Sequence, residues 1–356
     1  MTIDPSADLV TLLRQVVDVE SVSGNEAGLA DQVEAMLRGA DHLQVTRIGN
    51  TVAARTELGR PERVVIAGHL DTVPVANNLP SWTEDGPDGL RVYGRGTCDM
   101  KGGVAVALKS ALELSAPARD ITWLFYDCEE VDSARNGLVR VGRDHPDLLQ
   151  ADFAVLMEPT GAGVEGGCQG TARFSIRTSG TAAHSARSWL GHNAIHDLGP
   201  VLARITEFDA REIEVDGLLY REGLNAVEIS GGIAGNVVPD VGVVKVNYRF
   251  APDKDAAQAE ALMREHFSEW DLEFDDMAPG ARPGLDRPAA AAFVAAVGTP
   301  PRAKYGWTDV ARFTDLGIPA VNFGPADPGK AHADDEFCPA ADLETCYAVL
   351  RRWLAE

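Results

Sequence analysis

Short apolar runs rich in Val, Ile, Leu and aromatic residues recur at 63–67, 121–126, 153–157 and 318–323, with helix-period stretches between them. Strands with one wet face alternate polar and apolar residues, whereas unbroken runs of this length fit strands buried on both faces. Helical spacing at Leu9, Leu12, Leu13, Val16 and Val17, at Leu29, Val33 and Leu37, and along 104–114 supplies the covering layers. The alternation predicts an α/β domain built on a mostly parallel sheet.

From about Gly170 the pattern changes. Residues 172–178 alternate like a half-buried strand, 193–208 have helical spacing, and 226–233 and 241–250 form two strand patterns around a turn at 236–239. A helical pattern at 256–267 and a last strand at 272–275 complete a βαββαβ order, that of a ferredoxin-like α+β domain. The stretch 279–288 (PGARPGLDRP) has linker chemistry, and 289–297 is again helical. The reading is two domains: a larger one from 1–168 and 284–356, and one of 169–283 inserted into it. A chain of 356 residues is long enough for two cores.

Charge narrows the partners. With 32 basic against 54 acidic side chains the net charge is −22, which repels nucleic acid and anionic membrane surfaces. No apolar run is long enough to span a bilayer, and the first residues lack the basic and apolar regions of a secretion signal. Five cysteines without a CxxC pair argue against a disulfide framework and a thiolate zinc site. The expectation is a reduced, cytoplasmic protein acting on a small molecule.

In open α/β sheets ligands bind beyond the carboxyl ends of the strands. Here those ends lead into His69 and Asp71, into Asp127-Cys128-Glu129-Glu130, into Glu158, and into a loop holding His332; Asp99 precedes the 104–114 helix. Singly, each acid is an ordinary cap or solvated turn. Together, the five carboxylates of Asp71, Asp99, Glu129, Glu130 and Glu158 at one sheet edge would repel one another unless cations neutralise them, and imidazole with carboxylate suits zinc and related ions. Ligand arithmetic points to two ions with Asp99 between them. Asp71 is placed to accept the ring N–H of His69, and one of Glu129 and Glu130 is left to hold a proton. Gly161 to Gly166 fits GxGxxG, but strand-like sequence rather than a helix follows it, which excludes a dinucleotide site there.

The motifs GHLDTVP (68–74), GRGTCDMKGG (94–103), Glu129-Glu130, Glu158-Pro159-Thr160 and the late His332 resemble the co-catalytic zinc aminoacylase and carboxypeptidase family over nearly the whole chain. The resemblance implies a zinc-exopeptidase-like catalytic domain, an inserted dimerisation domain, a homodimer, and two zinc ions per subunit with Co2+ able to substitute. It implies that His69 and Glu158 bind one ion, Glu130 and His332 the other, and that Asp99 bridges them. Glu129 would be the general base, Asp71 would orient His69, and a cis peptide would join Asp99 to Met100. His184 would reach a scissile carbonyl in the partner subunit. Asn236 and Arg249, and with them Arg187, Lys304 and Thr308, would contact substrate; 304–313 would be a substrate loop of the main domain. Cys98 stands where relatives often have a small or β-branched residue and reads as a packed side chain.

Longer stretches, among them FYDCEEVDSARNGL (125–138), AHSARSWLGHNAIH (183–196) and AKYGWTDVARF (303–313), resemble a branch that removes succinyl groups from an N-acylated amino diacid. Arg187, Arg249 and Lys304, with Arg173 or Arg221, would meet its carboxylates. The same catalytic set would serve N-acetylornithine deacetylation or dipeptide cleavage. A non-catalytic metal-binding scaffold should have lost the base or a ligand, and all seven positions are filled.

Overall fold

The computed structural model describes residues 2–87 and 89–355. The chain divides into two compact units, one of Met1–Gly166, Gly284–Arg302 and Arg312–Glu356, the other of Gly167–Pro283 and Ala303–Ala311. Among the described residues no helix is long and apolar enough to cross a membrane.

In the larger unit the strands run in the order Gln44–Ile48, Thr51–Arg55, Asp120–Tyr126, Arg63–His69, Phe153–Leu156, Ala320–Asn322 and Glu165–Gly166. The four from Asp120–Tyr126 to Ala320–Asn322 are mutually parallel; the flanking ones pair antiparallel. The parallel segment corresponds to the four apolar runs of the sequence. Val64, Ile66, Trp123, Phe125, Phe153 and Val155 share one core with Leu12, Val33, Val104 and Trp353 of the helices Leu9–Val17, Ala27–Arg38, Gly102–Glu113 and Ala340–Ala355. Val65, Ala67, Leu124, Ala154 and Leu156 point the other way and are equally buried, so both faces are covered. Each large apolar side chain so enclosed stabilises the fold by roughly 1.5–3 kcal/mol.

The glycine pair in GRGTCDMKGG has a packing reason. A Cβ built on Gly103 would lie 2.0 Å from the carbonyl oxygen of Met157, so the helix Gly102–Glu113 touches the end of the Phe153–Leu156 strand backbone to backbone. Gly103→Ala should force the two apart and lower stability by about 1–3 kcal/mol. The urea midpoint checks this, and an unchanged midpoint would contradict it.

In the smaller unit the sheet order is Gly223–Gly231, Val241–Phe250, Gly170–Ser179, Leu272–Ala278, antiparallel throughout. Numbered along the chain this is second, third, first, fourth, the ferredoxin-like arrangement. Leu198, Val201 and Ile205 of the helix Leu198–Thr206, and Ala259 and Met263 of Ala256–His266, pack on Phe174, Ile176, Val244, Val246 and Tyr248. The opposite sheet face carries Arg173, Ser175, Lys245, Asn247 and Arg249, in step with the period of two. Asp255 and Gln258 close a capping box at the start of Ala256–His266.

Two features differ from the sequence expectations. An extra hairpin, Glu212–Val215 with Leu218–Arg221, turns through Asp216 and Gly217 at φ 50° and 81°, a turn that needs two left-handed residues. Residues 303–311, expected in the larger domain, belong to the smaller unit. Trp307 Nε1 donates to the Pro279 carbonyl at 3.1 Å, Tyr305 Oη to that of Leu219 at 3.4 Å, and Cys168 Sγ to that of Thr308 at 3.7 Å. Lys304 and Thr308, both buried, are therefore residues of the smaller unit, not of a loop of the main domain.

Candidate metal centre

Parallel strands deliver their C-termini to one edge of the sheet. His69 is the last residue of Arg63–His69 and pairs in register with Tyr126, so Asp71 and the turn 127–130 emerge side by side. Glu158 follows Phe153–Leu156 by two residues and is buried. His332 comes from the loop beyond Ala320–Asn322 and has φ 65°, a left-handed conformation that costs a non-glycine residue energy and is held by its surroundings. Asp99 lies in the tight turn Thr97–Lys101, and its bond to Met100 is cis.

Asp99 stands between the two imidazoles. Its Oδ1 is 3.2 Å from His69 Nε2 and its Oδ2 is 3.4 Å from His332 Nε2. Glu130 Oε1 lies 3.0 Å from the same nitrogen of His332. One ligand atom each from His69, Asp99 and Glu130 falls within 4.8 Å of the others. Glu158 sits at the end of the neighbouring strand. Glu129 acts on His69 through its charge while Glu130 reaches His332, so the two adjacent acids serve different neighbours.

The electrostatics carry the signature of a cation site. Burial disfavours a charged His69, yet the hydrogen bond to Asp99 and the charges of Asp71, Glu129 and Asp99 hold its pKa well above the ordinary value. Hydrogen bonds to Asp99 and Glu130 push His332 up from 6.5 to about 10. Burial opposes ionisation of Asp99, but His332 and His69 hold its carboxyl below the usual range. Protons thus occupy what the donor set offers to positive charge, and two imidazoles facing shared carboxylates fit divalent transition-metal ions.

A ligating histidine must give up its proton, so cation binding at pH 7 should release one from His332, and apparent affinity should rise with pH toward about 10. In the metal-free protein the same interaction stabilises the fold fully below about 6.5 and is lost as pH rises through about 10. Calorimetric titration in buffers of different protonation enthalpy reads the proton directly. An affinity flat between about pH 6 and 8 would contradict the assignment.

Asp71 differs in detail from the expectation. The His69 ring nitrogen Nδ1 is 2.9 Å from the backbone carbonyl of Asp71, with the carboxylate 3.6 Å away. That carboxylate accepts instead from the backbone N–H groups of Glu129 at 2.9 Å and Glu130 at 3.1 Å, and from Ser23 Oγ at 2.7 Å. Asp71 is fully buried and holds the turn that carries both glutamates. Ser23 was not singled out by the sequence reading. Its only signal was a position just before a helix, where serine reads as a cap.

A second group of ligand-type side chains, Glu26, Asp127 and Cys128, is engaged internally: Asp127 pairs with Arg140, and Glu26 accepts from Gly24 N–H at 2.6 Å and from the Cys128 thiol at 3.3 Å. Cys98 is buried and donates to the Asp327 carbonyl at 3.2 Å, as a packed side chain would.

In the smaller unit His184 and Asn236 are brought together. His184 bridges to Val237 and Ser185 N–H donates to the Asn236 carbonyl at 2.9 Å. His184 is exposed, and its Nδ1 accepts from Ala186 N–H at 3.0 Å, which leaves Nε2 as the N–H of the neutral ring. Arg187 follows in the exposed turn Ser185–Leu190. Arg249 donates to Asn247 at 3.2 Å, and burial, then the charge of Arg173, lowers its pKa. Arg173 pairs with Asp276 and Arg221 with Glu212, so each is already engaged.

The pattern of peptidase family M20/M25/M40 matches residues 65–356. The chain belongs to this family. It is 52% identical over 355 residues, 99% of each chain, to a Mycobacterium tuberculosis protein named "Putative succinyl-diaminopimelate desuccinylase DapE". It is 44% identical over 367 residues, 99% of this chain and 98% of the other, to the succinyl-diaminopimelate desuccinylase of Corynebacterium glutamicum. Among solved structures, the M20 metallo-carboxypeptidase Sso-CP2 of Sulfolobus solfataricus superposes with a TM-score of 0.78 over 98% of this chain and 99% of its own, at 17% identity, which speaks for the fold.

Proposed function

We propose that this M20 protein is a two-metal amidohydrolase that cleaves N-succinyl-L,L-2,6-diaminopimelate to succinate and L,L-diaminopimelate, a step toward lysine and cell-wall precursors. The observation that carries the reading is full-length identity of 52% and 44% to the two actinobacterial proteins, in a chain whose sheet edge gathers His69, His332, Asp99 and Glu130.

His69 and Glu158 would hold one zinc ion and Glu130 and His332 the other, with Asp99 shared; Co2+ suits the same donors. Metal ions at such a site lower the pKa of water and polarise an amide carbonyl. The chain's own residues do the rest. Glu129 takes the proton of the attacking water and returns it to the departing amine. Asp71, through the N–H groups of Glu129 and Glu130, fixes where that base and ligand stand. His184 Nε2 donates to the developing oxyanion from the partner subunit. Arg249, Arg187, Lys304, Thr308 and Asn236 would meet the substrate's carboxylates and polar atoms, which a chain of charge −22 otherwise repels. Five buried, unpaired cysteines suit the cytoplasm.

A homodimer is part of this reading. Gly223–Gly231 is an edge strand of the smaller unit, and Val227, Ile229 and Ile233 around it are 60%, 53% and 84% exposed. An uncovered apolar edge of this kind is a pairing surface. Ile229→Glu should give monomers on a sizing column with about 10²–10³-fold lower turnover, because the donated hydrogen bond is worth about 2.7–4 kcal/mol in a transition state. Fully active monomers would remove His184 from the mechanism. The substrate itself is tested by amine release from the succinyl compound beside N-acetylornithine and a dipeptide.

A further inference from the structure

The two loops that supply Asp99 and His332 are far apart in sequence, and a buried ion pair ties them together. Glu336 is 1% exposed and Arg95 4%. Arg95 Nη1 donates to Glu336 Oε1 at 2.7 Å. The same carboxylate accepts from the backbone N–H of Gly96 at 2.8 Å and, through Oε2, from that of Cys98 at 3.2 Å, the residue before Asp99. Arg95 also donates through Nε to the carbonyl of Pro74 at 3.0 Å, and through Nη1 to that of Ala333, next to His332, at 3.2 Å.

We infer that Arg95 and Glu336 are positioning residues that set the spacing between Asp99 and His332, and so hold the metal centre open for a cation before one arrives. The inference rests on the metal reading above. The segments beside Asp71, Asp99 and His332 share main-chain bonds at their roots, where Gly89–Tyr93 pairs with Phe337–Pro339 and the N–H groups of Gly94 and Arg95 donate to the carbonyls of Glu336 and Asn78; nearer the ligands the guanidinium fork and the carboxylate supply five further contacts among them. The need is greatest at His332, which lies in the loop between the strands Ala320–Asn322 and Phe337–Pro339 in a left-handed conformation. A fork with fixed geometry can serve three acceptors at once, which a lysine ammonium on a flexible stem cannot. Outer partners that fix ligand orientation typically change metal affinity by about 10–100-fold.

The experiment titrates metal-free wild type, Glu336→Gln and Arg95→Lys with Zn2+ by calorimetry and with Co2+ by visible absorption. Both variants should bind the more weakly held ion about 10–100-fold less tightly, with an altered Co2+ spectrum. At saturating metal, turnover should largely return with the substrate KM unchanged. Variants that lose thermal stability but bind both ions like wild type would overturn the inference. Wild type that binds no metal would overturn the metal reading itself, a separate result. Amide exchange in metal-free wild type serves even where a variant fails to fold: peptides covering 94–98 should exchange slowly before any metal is added. Fast exchange there, with protection only after loading, would show that the metal organises the loops and would equally overturn the inference.

Discussion

Glu129→Gln should lose about 10²–10⁴-fold in kcat while keeping its metal content and its KM within a small factor. The substitution preserves shape and removes only the ability to accept and return a proton. Its backbone N–H bond to Asp71, at 2.9 Å, does not depend on the side chain, so the turn should stay in place. Glu130, the adjacent acid, is engaged with His332 at 3.0 Å and is no substitute base. Metal analysis of the purified variant beside steady-state kinetics checks both halves. Substantial turnover with metal bound would move the proton-transfer role elsewhere; loss of metal would make Glu129 a ligand.

Asp99→Ala should have the other large effect, and through a different route. Asp99 holds a carboxylate oxygen within 3.4 Å of each imidazole, so its removal deletes a donor from each half of the centre and takes away the carboxylate that His69 and His332 share, leaving His332 with Glu130. Expected are less than one tightly held ion per chain and turnover reduced by more than the loss at Glu129. His332 should also titrate lower, since its hydrogen bond to Asp99 is the largest contribution to its raised pKa. Elemental analysis after gel filtration and an NMR titration of the histidine ring measure the two. Two ions retained at full affinity would mean that Asp99 does not bridge.

The sequence reading and the structure agree most where local pattern and burial coincide. The strand expected at 241–250 is observed at Val241–Phe250, because its alternating residues face a packed core on one side and polar groups on the other. The four apolar runs are the four parallel strands, because only complete burial selects such composition. The hairpin Glu212–Arg221 was missed although EIEVDGLLYR carries a D-G turn between alternating residues. The helix expected over 193–208 begins only at Leu198, since residues 193–197 form turns in which the Asn193 side chain accepts from Ile195 N–H at 3.0 Å.

At the site, residue types and strand-end positions were legible. His69, Asp99, Glu130 and His332 are observed together, with Glu158 at the adjoining strand end. What could not be read is which atom of a residue does the work and which distant loops meet. Asp71 offers its carbonyl, not its carboxylate, to His69, because the carboxylate is drawn to three donors on other segments. The bond between Arg95 and Glu336 spans 241 positions, and no local periodicity encodes a contact of that range. The association of 303–311 with the smaller unit is likewise a product of tertiary hydrogen bonds from Trp307 and Cys168.

Amine release by the purified, zinc-reconstituted protein from N-succinyl-L,L-diaminopimelate, with and without chelator and beside N-acetylornithine and a dipeptide, tests the central claim most directly. The account predicts release from the succinyl substrate alone, abolished by chelator and restored by zinc. Release from another of the three, sensitive to chelator, would keep the metal mechanism and contradict the substrate. Release from the succinyl substrate that survives full metal removal would contradict the mechanism.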